Sequence, residues 1–409
     1  MATAAVQDQN QLLQNAIHNA SILQDSERKY LQLTSNQGGT SPNLALGESY
    51  SFYLQNTSAY IDMFRIWFYD VEVVYTPNAG SVQTNRGGIW TILGNLRIAL
   101  GNHVYKVRAS AIPLLLSTIQ KHGWRWHDPG NETYNYSYEL YGSSNGGTTS
   151  QDMQYTSGTN TFTGYLDLPV AFLQMVKDAD GLMPTLSNSG VEVSFTTIST
   201  LAGADAYRYP ANVAGGATLA LGGTPGVVEV YARVLTQTTV FTTTPLAAPI
   251  AGPAFVFEEN PYNLQSTAPT FYTFQGQSAE SKLVKAIIII NNPGEVAGEF
   301  STATAVSEFD LYYDASKETW RNANAENPFS IANFLADQRA AYGDLPPGVL
   351  VLDWSRGTDA EYPNNHGYLD LNIYKNAGFR LTYGNAPQTG AQVIVLPFFL
   401  NPTLYEAQS

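Results

Sequence analysis

Short runs in which apolar residues alternate with polar ones dominate this chain. Residues 227–236 show the pattern, with Val228 and Val230 on one face and Glu229 on the other. The runs 64–68 and 286–290 are mostly uninterrupted apolar sequence, which is typical of strands covered on both faces. These runs predict an all-β protein of antiparallel sheets packed face to face, with some strands further covered by a helix, a neighbouring unit or another subunit.

The predicted elements form two series in the same order. The sequence GYLDLPV returns as GYLDLNI, and each copy follows three strands and a helix and precedes two further strands. The first series comprises residues 49–56, 63–76, 89–98, the helix 110–120, 164–170, 191–198 and 227–236. The second comprises 271–275, 283–290, 306–314, the helix 328–342, 367–373, 379–383 and 391–400. This shared order predicts one β-rich unit used twice.

One long amphipathic helix is predicted before the two units, over residues 8–33. Its apolar residues recur at spacings of three and four, which places them on one stripe: Leu12, Leu13, Ala16, Ile17, Ala20 and Leu23. The stripe is expected to pack under its own chain or on a neighbouring copy. A membrane surface is the alternative, although a polar face of Gln and Asn attracts anionic lipid only weakly.

Two stretches of the first unit lack apolar periodicity and predict surface loops, residues 141–161 and 201–224. We expect both at the outer end of the unit, and their glycines are Gly142, Gly146, Gly147, Gly203, Gly215 and Gly216. In the alternative, one loop packs sideways and seals a contact with another subunit, which Leu219 and Leu221 favour for the second loop. The Pro-rich stretch 242–253 reads as a stiff connector.

The predicted domain organisation follows from these features. It consists of an N-terminal helix and linker (1–42), a first unit (43–241), the connector (242–253) and a second unit (254–409).

Composition narrows the possible functions. Among 409 residues, 12% are aromatic and 13% charged, which suits a turn-rich β protein. The absence of cysteine excludes disulfides, thiolate metal sites and a cysteine nucleophile. The net charge of −14, with no run of Lys and Arg, argues against direct binding to nucleic acid. We also expect no secretory signal and no membrane-spanning helix.

Candidate chemistry is sparse. His122, His127 and Asp128 have the side chains that zinc accepts, but the spacing of the imidazoles and the Gly and Trp residues between them argue against a shared site. The adjacent Glu258 and Glu259 point to opposite faces of a strand and so cannot flank one glycosidic bond. The sequence therefore predicts no catalytic residue, no metal site and no cofactor.

The order of elements resembles that of the double jelly-roll major capsid proteins of membrane-containing icosahedral viruses, and is most similar to the tectivirus coat protein. The resemblance covers nearly the whole chain. Its most specific stretches are the N-terminal QNQLLQNAIHNASILQ and, in the second unit, ADQRAAYGDLPPGVLVLD, followed by YLDLNIYKNAGFRLTYG and a final apolar strand.

The resemblance implies a fold and a function. The fold would be two tandem eight-stranded jelly rolls, each with a short inserted helix. The function would be structural: a homotrimeric, pseudo-hexagonal capsomer that tiles an icosahedral shell around an internal membrane. Its partners would be further copies of itself, vertex and minor capsid proteins and the lipid surface, in the virion and, during assembly, in the host cytoplasm. The alternative is a β-sandwich carbohydrate-binding or host-attachment protein that uses tyrosines as stacking platforms.

Overall fold

The structure is a computed structural model of the chain. It describes residues 27–54, 60–77, 82–84, 88–100, 103–107, 157–169, 183–184, 191–203, 209–213, 215–236, 254–257, 260–263, 270–274, 282–291, 306–314, 316–321, 329–342, 349–354, 368–383 and 391–401.

The first unit contains thirteen described strands. They are β1 (Glu27–Gln32), β2 (Thr34–Ser35), β3 (Ser49–Leu54), β4 (Tyr60–Thr76), β5 (Val82–Thr84), β6 (Asn95–Leu100), β7 (His103–Val107), β8 (Gly158–Pro169), β9 (Met183–Pro184), β10 (Val191–Thr196), β11 (Ala211–Val213), β12 (Thr218–Leu221) and β13 (Val227–Thr236). A 3-10 helix, Gly88–Leu93, precedes β6.

Eleven of these strands form two antiparallel sheets that enclose the first core, and β5 pairs with β11 in a separate two-stranded sheet. The larger sheet has the order β1-β13-β4-β12, with β8 and β9 also paired to β4. The smaller sheet has the order β2-β3-β10-β6-β7. The chain therefore crosses repeatedly between the two sheets, and the last strand, β13, lies between β1 and β4, as in a jelly roll.

The second unit repeats this arrangement. Its strands are β14 (Ala254–Phe257), β15 (Asn260–Asn263), β16 (Thr270–Thr273), β17 (Lys282–Asn291), β18 (Val306–Tyr313), β19 (Ser316–Arg321), β20 (Val349–Asp353), β21 (Leu369–Asp370), β22 (Gly378–Tyr383) and β23 (Gln392–Asn401). The larger sheet has the order β14-β23-β17-β20, with β15 paired to β23 and β21 to β17, and the smaller sheet is β16-β22-β18-β19. By sheet position, β1 corresponds to β14, β4 to β17, β7 to β19 and β13 to β23. The predicted duplication is confirmed.

The two GYLDL copies occupy corresponding sites but differ in extent. The first lies within β8 and pairs continuously with β4. The second contributes only Leu369 and Asp370 to pairing with β17, and the rest of that ladder comes from β20. The backbone N–H groups of Ile373 and Tyr374 instead donate to the Asp370 carbonyl, which turns the chain away from the sheet. The second GYLDL copy therefore leaves the sheet beyond Asp370, whereas the first remains in it through Pro169.

The predicted N-terminal helix is wrong at its carboxyl end. Residues 27–32 form β1, which pairs along its whole length with β13. The first unit thus begins before residue 43, where the sequence analysis placed its start. The rest of the predicted helix lies outside the described residues, as do the predicted helix 110–120 and the connector 242–253.

Two further predictions need correction. The predicted strand 89–98 begins as the 3-10 helix, whose Ile92 and Leu93 are core residues, and becomes a strand only at Asn95. The predicted loop 201–224 contains β11 and β12, and β12 extends the larger sheet by pairing with β4. Leu201 and Leu219 are buried in the first core, so this segment packs against its own unit.

The helix predicted in the second unit is present as α1 (Ile331–Tyr342). Ser330 caps it, since its hydroxyl accepts a hydrogen bond from the Asn333 N–H at 3.1 Å. Phe334 packs against Phe309 and Trp320, with ring centroids 5.6 and 5.1 Å apart. The helix therefore seals one side of the second core.

Glycine is required where the chain enters β13. A Cβ atom on Gly226 would lie 2.6 Å from the Tyr69 carbonyl oxygen and from the Val71 Cα, both backbone atoms of β4. We expect Gly226→Ala to lower the free energy of unfolding by about 1–3 kcal/mol because the backbone must shift. A Cβ on Gly223 meets nothing within 4 Å, so Gly223→Ala is the matched control. Urea unfolding compares the two, and equal midpoints would contradict the expectation.

Candidate assembly surfaces

The outer face of the first unit's larger sheet carries aromatic residues and arginine. Along β4, Arg65, Trp67 and Tyr69 are half-buried and alternate with buried core residues. Tyr30 on β1 and Tyr165 on β8 lie on the same face. We call the surface formed by Tyr30, Arg65, Trp67, Tyr69 and Tyr165 the aromatic face.

Side chains of the aromatic face pack against one another. The Trp67 ring lies 5.1 Å from the Tyr69 ring and 5.0 Å from the Tyr165 ring, measured between centroids. The guanidinium carbon of Arg65 lies 3.7 Å from the Tyr165 centroid and 5.1 Å from that of Tyr30. Such cation–π and ring contacts fix the side chains in place and lower the entropy lost when a partner binds.

A polar group borders this face on β13. The Glu229 carboxylate accepts hydrogen bonds from the hydroxyls of Tyr231 and Ser41. Burial and the neighbouring Glu229 carboxylate raise the pKa of Tyr231, so its hydroxyl remains a neutral donor.

The GYLDL motif places the same kind of contact in both units. In the first unit, Arg65 pairs in register with Asp167 and lies over Tyr165. In the second, Lys282 pairs in register with Asp370, and its ammonium lies 4.9 Å from the Tyr368 ring centroid. The shared sequence thus corresponds to a shared cation–aromatic contact, which explains why these residues recur.

The corresponding face of the second unit's larger sheet is buried inside the chain. Its core-facing residues Ala286, Ile288 and Ile290 belong to the second core. On the opposite face, Ile287 and Ile289 are 0% exposed and belong to a cluster that includes the first core. Five other outward residues join that cluster: Val284, Val349, Val351, Ile394 and Leu396. The prediction that 286–290 is covered on both faces is confirmed, and the second cover is the first unit. The same prediction for 64–68 is not met within the single chain, where Arg65 and Trp67 are half-buried.

The smaller sheet of the second unit carries a charged network on its outer face. Asp310 on β18 is 0% exposed and accepts hydrogen bonds from Thr319 and Arg380, and from the Tyr312 hydroxyl at 3.2 Å. The ammonium of Lys317 lies 3.6 Å from the Asp310 carboxylate. The neighbouring Glu308 contacts Arg321 and Arg380, each at 3.3 Å. This network ties β18, β19 and β22 together.

The ionisation of Asp310 follows from these contacts. Burial by itself raises the pKa of a carboxyl group, but the hydrogen bonds from Thr319 and Arg380 and the charges of Arg380 and Lys317 outweigh it, so the pKa of Asp310 lies below its ordinary value. Because the folded pKa is depressed, ionised Asp310 stabilises the fold above the unfolded pKa of about 3.9. That contribution is lost as the pH falls through the folded pKa.

We expect Asp310→Asn to lower the free energy of unfolding of the second unit by about 3–5 kcal/mol at pH 7, because it leaves the positive charge of Arg380 without its buried partner. The variant should also lose less stability than the wild type below about pH 4, since the titrating group is gone. Glu308→Gln is the control, because partly exposed pairs contribute about 0–1 kcal/mol. Urea unfolding at both pH values checks this. An Asp310→Asn variant as stable as Glu308→Gln would contradict it.

The sequence-predicted site residues have mixed outcomes. Those of the N-terminal stripe (Leu12, Leu13, Ala16, Ile17, Ala20 and Leu23) and of the first loop (Gly142, Gly146 and Gly147) lie outside the described residues. Gly215 and Gly216 form a turn before β12, with φ angles of 66° and 78°. Gly203 faces the ring of Tyr209. An outer-surface position for these glycines stays a prediction.

Sequence reasoning missed two features of these surfaces. It did not single out Arg65 and Trp67, although their alternation with Phe64 and Ile66 signals an outward aromatic row. It also missed Asp310, although the alternation of Glu308 and Asp310 with Phe309 and Leu311 marks a charged face. The partners of both features come from strands distant in sequence.

Among the residues that the structure describes, no group of three or more His, Asp or Glu side chains could hold a metal ion. Within the same residues, no helix has the length and apolar character needed to cross a membrane. The candidates His122, His127, Asp128, Glu258 and Glu259 lie outside the part of the chain that the structure describes.

The similarity of this chain to known proteins lies in its fold. No protein-family model matches the sequence, and no curated protein matches it either. The capsid protein of Sulfolobus Turreted Icosahedral Virus superposes with a TM-score of 0.54 at 13% identity, over 93% of this chain and 98% of that one. The capsid of the virus PBCV-1 gives a TM-score of 0.58 at 11% identity, over 92% and 95%. The Sputnik virophage gives 0.51 at 11% identity, over 91% and 85%.

The chain is a double jelly roll. The agreement covers both units and their order, and the similar solved structures are viral capsid proteins. The predicted fold is confirmed. In this double jelly roll, the larger sheet of the second unit is covered by the first unit, while the same sheet of the first unit presents the aromatic face.

Proposed function

We propose that this double jelly roll is the major capsid protein of an icosahedral virus, acting as a structural protein without catalytic activity. The observation that carries the proposal is a chain-long superposition on viral capsid proteins, with 98% of the first of them covered. A match over whole chains leaves little room for an additional catalytic domain in the aligned region. The localisation that follows is the virion, with the host cytoplasm during assembly.

The functional unit in this proposal is a homotrimer. Two similar but unequal units repeated about a threefold axis imitate sixfold symmetry, so one protein can tile a flat facet with pseudo-hexagonal capsomers. We expect the buried interface to exceed about 2,000 Å² in total, as in permanent assemblies. Light scattering of the purified chain should give three times the monomer mass of 44.6 kDa. A stable monomer at micromolar concentration would refute the proposal.

The shell is proposed to enclose an internal membrane, as the tectivirus-like resemblance implies. The net charge of −14 supports this arrangement, because a shell in direct contact with the genome would need basic residues to neutralise phosphates. The remaining partners would be vertex and minor capsid proteins. Electron microscopy of particles purified with the protein tests the arrangement, since a bilayer appears as two concentric densities beneath the shell.

A carbohydrate-binding or host-attachment protein is the second candidate, and the aromatic face is the observation that favours it. Sugars bind on aromatic rings whose faces are open to solvent. Here the Trp67 ring packs against the rings of Tyr69 and Tyr165, and Arg65 covers Tyr165. The packing therefore favours a protein partner. Glycan-array binding by a monomeric protein would reverse this preference.

A further inference from the structure

The contact between the two units within the chain involves two edge strands. Strand β14 is at one edge of the second unit's larger sheet, and β7 is at one edge of the first unit's smaller sheet. Their Cα atoms approach within 8 Å. Edge strands expose unpaired backbone groups, and covering one edge with another element removes that liability.

Because the chain consists of two similar units, it has a second pair of edge strands that corresponds to β14 and β7. Strand β1 corresponds to β14, because each pairs with the last strand of its unit at the edge of the larger sheet. Strand β19 corresponds to β7, because each is at the edge of the smaller sheet, with β7 beside β6 and β19 beside β18. Among the described strands, no other edge strand lies against β1 or β19 as closely as β14 lies against β7, and the edge of β19 is bridged at Arg321 by Ser330.

The surface next to β1 has the composition of an interface. Tyr30 is 45% exposed on β1, and the guanidinium of Arg65 links it to Trp67 and Tyr165. Trp, Tyr and Arg are enriched among residues that dominate binding energy. In the second unit, the equivalent outer face beside β14 is already buried against the first unit.

We propose that a second copy of this chain occupies the aromatic face, with β1 of one copy against β19 of the next. The intermolecular contact then repeats the contact that β14 and β7 make within each chain. It is head to tail, since different surfaces of the two copies meet, and three such contacts close a ring. This inference rests on the proposed homotrimer and specifies its interface.

Engineered cysteines test the pairing, and the chain has no native cysteine to interfere. Tyr30→Cys combined with Glu318→Cys places one thiol on each edge, at positions that are exposed in the single chain. Under mild oxidation, or with a short bis-maleimide linker, most of the double variant should run as a covalent trimer on a denaturing gel. Disulfide-linked material should return to monomer on reduction.

The matched control is Tyr30→Cys combined with Phe271→Cys. Phe271 is also 45% exposed but lies on β16, at the opposite edge of the same smaller sheet. Three strand spacings separate the edges by about 14 Å, beyond the reach of a disulfide. This pair and each single variant should stay at the monomer position.

The outcomes separate this inference from the proposed function. If light scattering shows a trimer but the cross-link forms through Phe271→Cys, or with neither cysteine pair, the proposed pairing of β1 with β19 is wrong and the proposed homotrimer stands. An intrachain disulfide between positions 30 and 318, detected by peptide mapping of the monomer band, also overturns it. A monomer by light scattering refutes both.

Discussion

Replacement of Trp67 by alanine is expected to convert the trimer into a folded monomer. Trp67 is at the centre of the aromatic face, and removing its indole withdraws the contacts to Tyr69 and Tyr165 and part of the support for Arg65. A central interface tryptophan contributes at least about 2 kcal/mol per contact. With three contacts in a ring, trimer formation should weaken by about 6 kcal/mol, or ~10⁴-fold.

Sedimentation or light scattering across a dilution series measures this effect. Tyr53→Ala is the control, because Tyr53 is 40% exposed on β3 in the other sheet of the same unit. Circular dichroism should show that both variants keep their β structure. If Trp67→Ala remains trimeric at the concentrations where the wild type does, the aromatic face is not an interface between copies.

Adjacent isoleucines of β17 are expected to report on different contacts when each is changed to alanine. Ile288 faces the second unit's own core, whereas Ile289 belongs to the cluster shared with the first unit. Each substitution should cost about 2–5 kcal/mol, since both side chains are 0% exposed. Ile288→Ala should weaken the second unit alone, but Ile289→Ala should weaken the coupling between units.

Calorimetry and hydrogen exchange distinguish these effects. For Ile289→Ala, we expect the unfolding transition to broaden or split, with faster amide exchange in β7 as well as in β17. For Ile288→Ala, faster exchange should be confined to the second unit. Identical exchange patterns in the two variants would show that the units do not share a core.

The sequence predicted those parts of the fold that local pattern controls. Alternation located β13, and the GYLDL copies revealed the duplication, because in both units the motif places its tyrosine against a cation of the corresponding long strand. It failed where distant partners decide the structure. Residues 27–32 become a strand through pairing with β13, some 200 residues away in the sequence.

Buried residues in a segment without apolar periodicity were a second source of error. The segment 201–224 shows no regular apolar pattern, but Leu201 and Leu219 enter the first core and β12 joins the larger sheet. The apolar run that contains Ile92 and Leu93 reads equally well as strand or helix. The assembly surfaces were harder still, since neither the aromatic face nor the Asp310 network is contiguous in sequence.

The aliphatic contact between the two units has a consequence for the order of assembly. Because both of its sides belong to one polypeptide, it forms at a high effective concentration that does not depend on the amount of protein present. The rate at which copies come into contact is second order in protein concentration, so this contact forms later. In the proposed ring, a newly folded chain then offers one unmatched surface at each end, so growth proceeds by addition at these ends and stops when they meet.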